Sequence, residues 1–490
     1  MITRLEVDGF KSLREFTVDF EPFTVLVGPN SAGKSNILDA LALLSRLATR
    51  PIEEAFKQGR GRSIDQFTRW RGEAGRAIRF AVEVLLPDVV ESGETVARSH
   101  RYRYELVIER RARPTGAEHL VVRDERLRVL EREEERLPDP GAELASPERT
   151  AHGGQDVFAQ RFETKFGRRV AVCATPEDIH YQAVHTHTAL ASLHQRLGDV
   201  LQPLTPGEGV AEPQGEQSRR GAGVVQRRAI ADRRLSGPDP WRERISAVAD
   251  ELSSFRLLQL DIGRLREPSE RIGTGALAPD ASNLATVLAD LPAPLLGEIR
   301  AELVALVPGI SSFHVEPEGD SFHIDFELSG GERLPARLVS DGMLRLLAIL
   351  TVLRGQPSSA VIGIEEPENG VYPGRLRRLL TFLREAALEQ RDGAPVEQDA
   401  SAPIDAAPIE QPRWAWPPQI LLTSHSPVIL AALRSAPQHI RFIDTVRRDG
   451  QLVSRARRVA VAPGTDRGRL TVSLREINAL LDAAGSEAAE

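Results

Sequence analysis

The apolar positions of the chain fall into two kinds of pattern, and their order outlines the fold. Near the start, "ITRLEVDGFKSL" and "FTVLVG" read as strands. Glycine ends the second, and "SNILDALALLSRLA" follows with the spacing of a helix that Pro51 terminates. From about Ala81 to Leu130, "FAVEVLL", "YRYELVIER" and "HLVVRDERLRVL" alternate and are rich in β-formers, which predicts an antiparallel sheet. The stretch from about Ala189 to Leu257 reads as mainly helical, broken by the Gly, Pro and polar residues of "TPGEGVAEPQGEQSRRGAG". Late in the chain "SFHIDFEL" alternates again, whereas "AVIGI" and "QILLTS" are continuous apolar runs with a helical segment between them. Continuous runs are what strands covered on both faces look like. The two ends of the chain are therefore expected to build one α/β sheet, with the middle inserted. The expected division is 1–90, 91–310 with a flexible loop about 205–225, and 311–490 with a low-complexity, disordered insert about 391–413. No internal repeat is apparent.

Composition limits the classes of function without choosing one. At 490 residues, with 41% hydrophobic and 27% charged, the chain has room for a large core and reads as globular. A formal net charge of -7 gives no global pull towards nucleic acid or an anionic membrane, so any DNA contact must be a local basic patch. The single cysteine, Cys173, rules out an internal disulfide and reads as a small buried hydrophobe. Arg4, Glu6 and Asp8 interrupt the apolar core that a signal peptide needs, and no apolar run is long enough to span a membrane; the expected location is the cytoplasm.

Chemistry enters with Gly28-Pro29-Asn30-Ser31-Ala32-Gly33-Lys34-Ser35, followed by Asn36. It fits G-x-x-x-x-G-K-[ST] without mismatch, between the strand and the helix that the motif requires. Gly28 and Gly33 let the backbone curl so that its N–H groups and the helix N-terminus face phosphates. Lys34 is expected to reach the β- and γ-phosphates of ATP, and the Ser35 hydroxyl to ligate Mg2+.

After "AVIGI" come Glu365, Glu366, Pro367 and Glu368, carboxylates at the C-terminal end of a strand, where ligands of parallel sheets bind. Glu365 would hold Mg2+ directly or through water, and Glu366 would orient or deprotonate an attacking water. The run "QILLTS" leads to His425, placed to hydrogen-bond the γ-phosphate or that water.

Two short stretches compete for the helix N-terminus that a second subunit's γ-phosphate would meet. Were "SGGE" to open a helix, Pro335 would fall in its second turn at a cost of about 3 kcal/mol. Instead "HIDFEL" and "RLPARLV" both look extended, and Gly330-Gly331 suits a hairpin turn. Ser340, Asp341 and Gly342 are followed by "MLRLLAILTVLRG", an uninterrupted helix ended by Gly355, with Ser340 as its N-cap. The reading favours this second stretch, its small exposed backbone open to phosphate, with Arg345 as a further candidate.

With the loop Gly28 to Ser35, "SDGMLR", "IGIEEPENGVYP" and "LLTSHSP" in this order, the chain resembles the RecF/SMC-like branch of ABC-type ATPases. These are the stand-alone "AAA family ATPases" with OLD-like and RecF-like heads. "RLREPSERIG" and "SNLATVL", between Arg264 and Leu288, are similar to a segment common in that group. The resemblance implies a P-loop NTPase fold of ABC-ATPase type, with an antiparallel β segment and a helical insertion between the P-loop and signature halves. It implies two ATPs sandwiched between two heads in a homodimer. It also implies a glutamine that touches Mg2+, for which Gln66 is the candidate and a surface glutamine the alternative. Lys11 and Arg14 are candidates to lie near the nucleotide. Tyr372 stands where such chains often carry histidine. Only about 65 residues follow His425, less than a usual domain, so no nuclease domain is expected.

Some features stay open. His180, His185, His187 and His194 could hold a metal or form a solvated cluster, and the basic runs near Arg227 and Arg447 could meet phosphate backbones or water. The function implied is a nucleotide-gated, dimerising ATPase acting on DNA in repair or anti-phage defence. The alternative is an ATP-binding scaffold, with little turnover, for a separately encoded effector nuclease or toxin. A transporter subunit fits less well, because the signature differs and the insertion is large.

Overall fold

The computed structural model describes residues 1–70, 72–87, 99–130, 157–164, 167–172, 179–182, 240–272, 276–355, 361–388, 417–459, 471–473, 476–477 and 479. The expected loops at 205–225 and 391–413, Cys173, His185, His187, His194 and the basic run near Arg227 lie outside the described residues, as does the side chain of His180. Contacts divide the chain into two units, one of Met1–Leu5, Lys11–Ala42 and Ser254–Glu490, the other of Glu6–Phe10 and Leu43–Ser253.

The apolar runs singled out in the sequence form the centre of the first unit. Phe23–Val27 and Gln419–Ser424 are buried at every position, and Val361–Glu365 at all but the last. They belong to a seven-stranded sheet in the order Arg256–Leu258, Val361–Glu365, Gln419–Ser424, Phe23–Val27, Ile440–Arg448, Gln451–Val459, Thr471–Val472. The first five run parallel, and Gln451–Val459 turns back antiparallel. The register is level across the centre: Glu365 pairs with Thr423, Thr423 with Leu26, and Ser424 with Val27. Three strands distant in sequence therefore end on one edge. The helix Asp341–Gly355 packs into the same core, with Leu344, Leu346, Leu347, Ile349 and Leu350 all fully buried. Apolar residues on every side are what a helix enclosed by a core requires.

Two details differ from the sequence reading or refine it. The stretch expected to be helical as far as Leu257 leaves the helix at Ser253, and Arg256–Leu258 pairs parallel with Ile362–Ile364. Gly363 makes room for it, since a Cβ there would stand 2.9 Å from the Phe255 ring. The sheet edge offers hydrogen bonds and a buried place for Leu258, which outweigh a helical preference spread over three residues. Secondly, "SGGE" does make a hairpin: Ser321–Leu328 pairs with Arg333–Pro335, Leu328 N–H donates to Glu332 O at 2.8 Å, and Gly331 has φ +83°.

The second unit contains the expected antiparallel sheet. Ala77–Pro87, Ser99–Ala112 and Glu118–Val129 pair in sequence order, followed by Val157–Thr164, Gly167–Val172 and Ile179–Gln182. Arg103 joins it through ion pairs to Glu6, Glu83 and Glu105. No helix among the described residues is long and apolar enough to cross a membrane.

Candidate nucleotide-binding site

The level edge of the parallel sheet is where the predicted residues gather. Phe23–Val27 delivers the chain to Gly28, whose N–H donates to Ser424 O at 3.2 Å. A Cβ at residue 28 would stand 2.0 Å from Ile443 O, so the neighbouring strand allows only glycine there. Ser31 (φ +63°) and Gly33 (φ +96°) curl the loop, and Lys34 opens the helix Lys34–Leu47. Lys34 is buried, and its Nζ donates to Gly28 O and Pro29 O, each at 2.8 Å. Burial lowers its pKa, partly offset by the carboxylates of Glu366, Glu368 and Glu365. Asn30 and Ser31 are exposed, Ala32 is buried, and the half-buried Ser35 hydroxyl has no partner among the described residues.

A support that sequence reading did not find stands behind this loop. Asn36 Nδ2 donates to Ser12 Oγ (2.8 Å), the Ser12 and Ser454 hydroxyls bond at 2.7 Å, and Ser454 Oγ donates to Ala32 O at 2.7 Å. Because Ser454 has one proton and Ala32 O takes it, Ser12 must donate to Ser454. The polarity of the whole relay is thereby fixed. A Cβ on Gly33 would run into Ser454 Oγ at 2.1 Å and Ser12 Oγ at 2.6 Å. Lys11, in contrast, pairs with Asp39 at 2.6 Å, and Arg14 with Asp449 at 2.9 Å.

On the neighbouring strand, Glu365 closes Val361–Glu365 and Glu366 takes φ +46°, a conformation that costs a non-glycine residue about 1–3 kcal/mol. Its N–H donates to Thr423 O (3.1 Å), and its Oε2 accepts from Asn369 Nδ2 (2.9 Å). Glu366 Oε1 lies 3.4 Å from His425 Nδ1, and Glu368 Oε1 lies 3.7 Å from it. Lysine, three carboxylates and imidazole thus surround the end of the loop. Such a set can hold a polyphosphate, bind a hard cation through oxygen and move a proton.

Ser340 is exposed at the start of Asp341–Gly355, and Asp341 Oδ1 accepts from Arg266 Nη2 at 2.5 Å. Arg266 also donates to Arg337 O (2.5 Å) and Val339 O (3.2 Å), so the "RLREPSE" segment holds the approach to this helix in place. The expected open backbone extends only part of the way. Gly342 is buried, and a Cβ on it would stand 2.5 Å from Gly370 O, so this glycine is demanded by packing against the turn that follows Glu366. Arg345 lies nearby with its Nε buried and without a partner among the described residues, and burial lowers its pKa against the raising effect of Asp341, Glu366, Asp261 and Glu368. Tyr372 is 72% exposed just beyond that turn.

Gln66 is not a surface glutamine. It belongs to the second unit, is 1% exposed, and its Nε2 donates to Phe56 O at 2.6 Å. The basic run near Arg447 is largely neutralised at home, with Arg455 and Arg457 on Asp444, Arg458 on Asp19 and Arg448 on Glu15.

Fold and loop together define a P-loop nucleotide-binding head of the RecF/SMC-like ABC type. Residues 23–172 and 217–431 match the family described as "AAA domain, putative AbiEii toxin, Type IV TA system", and the chain belongs to that family. Among curated proteins it is similar to the chromosome partition protein Smc of Myxococcus xanthus (strain DK1622), 30% identical over 133 residues, 26% of this chain and 10% of that protein. It is also similar to structural maintenance of chromosomes protein 1 of Schizosaccharomyces pombe, 39% identical over 66 residues, 12% of this chain and 5% of that protein. The chain thus spans a tenth or less of the length of these relatives. Among solved structures, a Smc head bound to the C-winged helix domain of ScpA aligns with 94% of this chain and 98% of its own, at 14% identity and a TM-score of 0.43. The SMC head domain from Thermotoga maritima aligns with 94% and 99%, at 13% identity and a TM-score of 0.37.

Proposed function

We propose that the chain binds ATP and hydrolyses it to ADP and phosphate, and that ATP draws two copies together head to head. The supporting observation is the level edge at which Gly28, Glu365, Glu366 and His425 leave three adjacent parallel strands. In this reading the loop Gly28–Asn36 cradles the phosphates and Lys34 neutralises the β- and γ-oxygens. Glu366 takes a proton from the attacking water, and His425 hydrogen-bonds that water or the γ-phosphate. The Ser35 hydroxyl, without a partner among the described residues, and the carboxylate of Glu365 are hard oxygen donors that fit Mg2+ and would hold it, where it would offset the charge of the phosphates. The partner's γ-phosphate would meet the exposed Ser340 and the helix N-terminus behind it.

Chromosome partition proteins among the relatives support an action on DNA, in repair or in anti-phage defence, and the family description, which names a putative toxin of a type IV TA system, supports a link to a toxin. The test is the solution mass of Glu366→Gln, by light scattering, with ATP·Mg2+ and without nucleotide. Glu366→Gln should keep binding and block water activation. The expected result is a monomer that becomes a dimer only with ATP, and that Ser340→Arg returns to monomer. A mass indifferent to ATP, with negligible turnover in the unsubstituted chain, refutes the gated dimer and favours an ATP-binding scaffold for a separate effector.

A further inference from the structure

Glu368 is given no role of its own in the proposed hydrolysis, yet its side chain is far more enclosed than that of Glu366. Its side chain is 8% exposed, and Oε2 is buried without a hydrogen-bond partner among the described residues. The turn Glu366–Val371, closed by Asn369 N–H on Glu366 O (3.1 Å) and Val371 N–H on Glu368 O (3.0 Å), folds it back beneath the end of the neighbouring strand. There Oε1 accepts from Ser424 Oγ at 2.6 Å and from the backbone N–H of His425 at 3.1 Å. Ser424 Oγ in turn accepts from Ser426 N–H (2.9 Å), and Ser426 Oγ accepts from Val428 N–H (3.2 Å) to cap Pro427–Ala432. One carboxylate thus anchors the chain on both sides of His425.

The imidazole sits inside that anchor. Its Nδ1 is buried, has no hydrogen bond among the described residues, and lies 3.4 Å from Glu366 Oε1 and 3.7 Å from Glu368 Oε1. A lone pair on Nδ1 would be repelled by the two carboxylate oxygens nearby, whereas an N–H there is attracted by both. In the neutral ring the proton therefore sits on Nδ1, and Nε2 keeps the lone pair.

We infer that Glu368 is a positioning residue: it fixes the backbone of His425 and, together with Glu366, its ring tautomer, so that Nε2 meets the attacking water as an acceptor. This rests on the proposed hydrolysis for its consequence but not for its geometry. The experiment uses the full chain with 15N-labelled histidine, His425 being assigned by loss of its signals in His425→Gln. Long-range 1H–15N spectra without nucleotide should show His425 with its proton on Nδ1. Glu368→Gln, which can still accept from Ser424 and His425, should keep this tautomer. Glu368→Ala, which removes one of the two oxygens near Nδ1 and frees the backbone around His425, should populate the Nε2–H tautomer measurably and slow turnover roughly tenfold or more, with the Kd for ATP unchanged. If Glu368→Ala does not fold, Ser424→Ala removes one anchor and should shift the tautomer in the same direction. A proton on Nε2 in the unsubstituted chain, or an alanine variant that behaves as the unsubstituted chain does, overturns the assignment. Absent turnover in the unsubstituted chain refutes hydrolysis alone, because the tautomer is read without it.

Discussion

Replacing Gly342 by alanine separates two reasons for a glycine at the head of the helix Asp341–Gly355. If the residue is small only to admit a partner's phosphate, the nucleotide-free chain should tolerate a methyl there, or gain up to about 1 kcal/mol from helix propensity. The packing points the other way. The added Cβ would stand 2.5 Å from Gly370 O and 3.4 Å from Val371 Cα, and the carbonyl cannot retreat alone, because Val371 N–H and Asn369 N–H tie the turn to Glu368 and Glu366. Forcing one methyl into such a contact costs about 1–3 kcal/mol, and the propensity gain offsets part of that. A net loss of about 1–2 kcal/mol remains, or roughly 2–8 °C in Tm for a unit of this size. Thermal and urea unfolding of the nucleotide-free protein would read it. A Tm that holds or rises for Gly342→Ala would refute the packing account.

Two further perturbations reach other parts of the same unit. Ser454→Ala removes the hydroxyl that donates to Ala32 O and accepts from Ser12, about 1–2 kcal/mol of support beneath the phosphate loop. The Kd for ATP should rise by up to about five- to thirtyfold by titration calorimetry, and an unchanged Kd would remove Ser454 from the site's architecture. Burial alone would raise the pKa of Glu21, but the hydrogen bond from His439 and the charge of Arg441 bring it below its ordinary 4.5. A depressed carboxyl stabilises the fold above its unfolded value, and that stability is lost as pH falls through the lower folded value. Glu21→Gln also removes the carboxylate charge beside the buried Arg441, whose other hydrogen bonds among the described residues go to the carbonyls of Asp19, Gln438 and Ile440. It should therefore cost about 1–3 kcal/mol at pH 7, and the gap from the unsubstituted chain should narrow below about pH 4.5. A gap that stays constant down to about pH 3.5 would count against the pairing.

What the sequence revealed of this molecule follows from how local the signals are. The runs at Phe23, Val361 and Gln419 announced buried parallel strands because both faces are covered, and the phosphate loop announced itself because its glycines serve a local curl. Arg256–Leu258 was hidden, since three residues carry no periodicity and only the waiting sheet edge makes them a strand. Ser12 and Ser454 were hidden for another reason. They are ordinary serines 442 positions apart, and nothing about either names its partner. Glu368 looked like one more carboxylate of an acidic turn, and Gly342 like a glycine meant for phosphate. In both cases a neighbour across the turn, Ser424 or Gly370, defines the environment.

The pairing of Phe23–Val27 with Gln419–Ser424 also governs when the molecule can exist. Ile2 N–H donates to Gln419 Oε1 and Gln419 Nε2 returns a bond to Ile2 O, a closure over 417 positions. At about 5–20 residues per second, a ribosome needs roughly 20–80 s to cover that interval. Throughout it the strand that carries the phosphate loop has been made while its parallel neighbours on both sides, Gln419–Ser424 and Ile440–Arg448, have not. An apolar strand with both edges unpaired and both faces bare is the kind of segment that aggregates or recruits a chaperone. Nascent chains stalled before Gln419 should therefore be the ones the cell has to shelter, and nucleotide cannot rescue them, because the edge that would bind it has not yet been assembled.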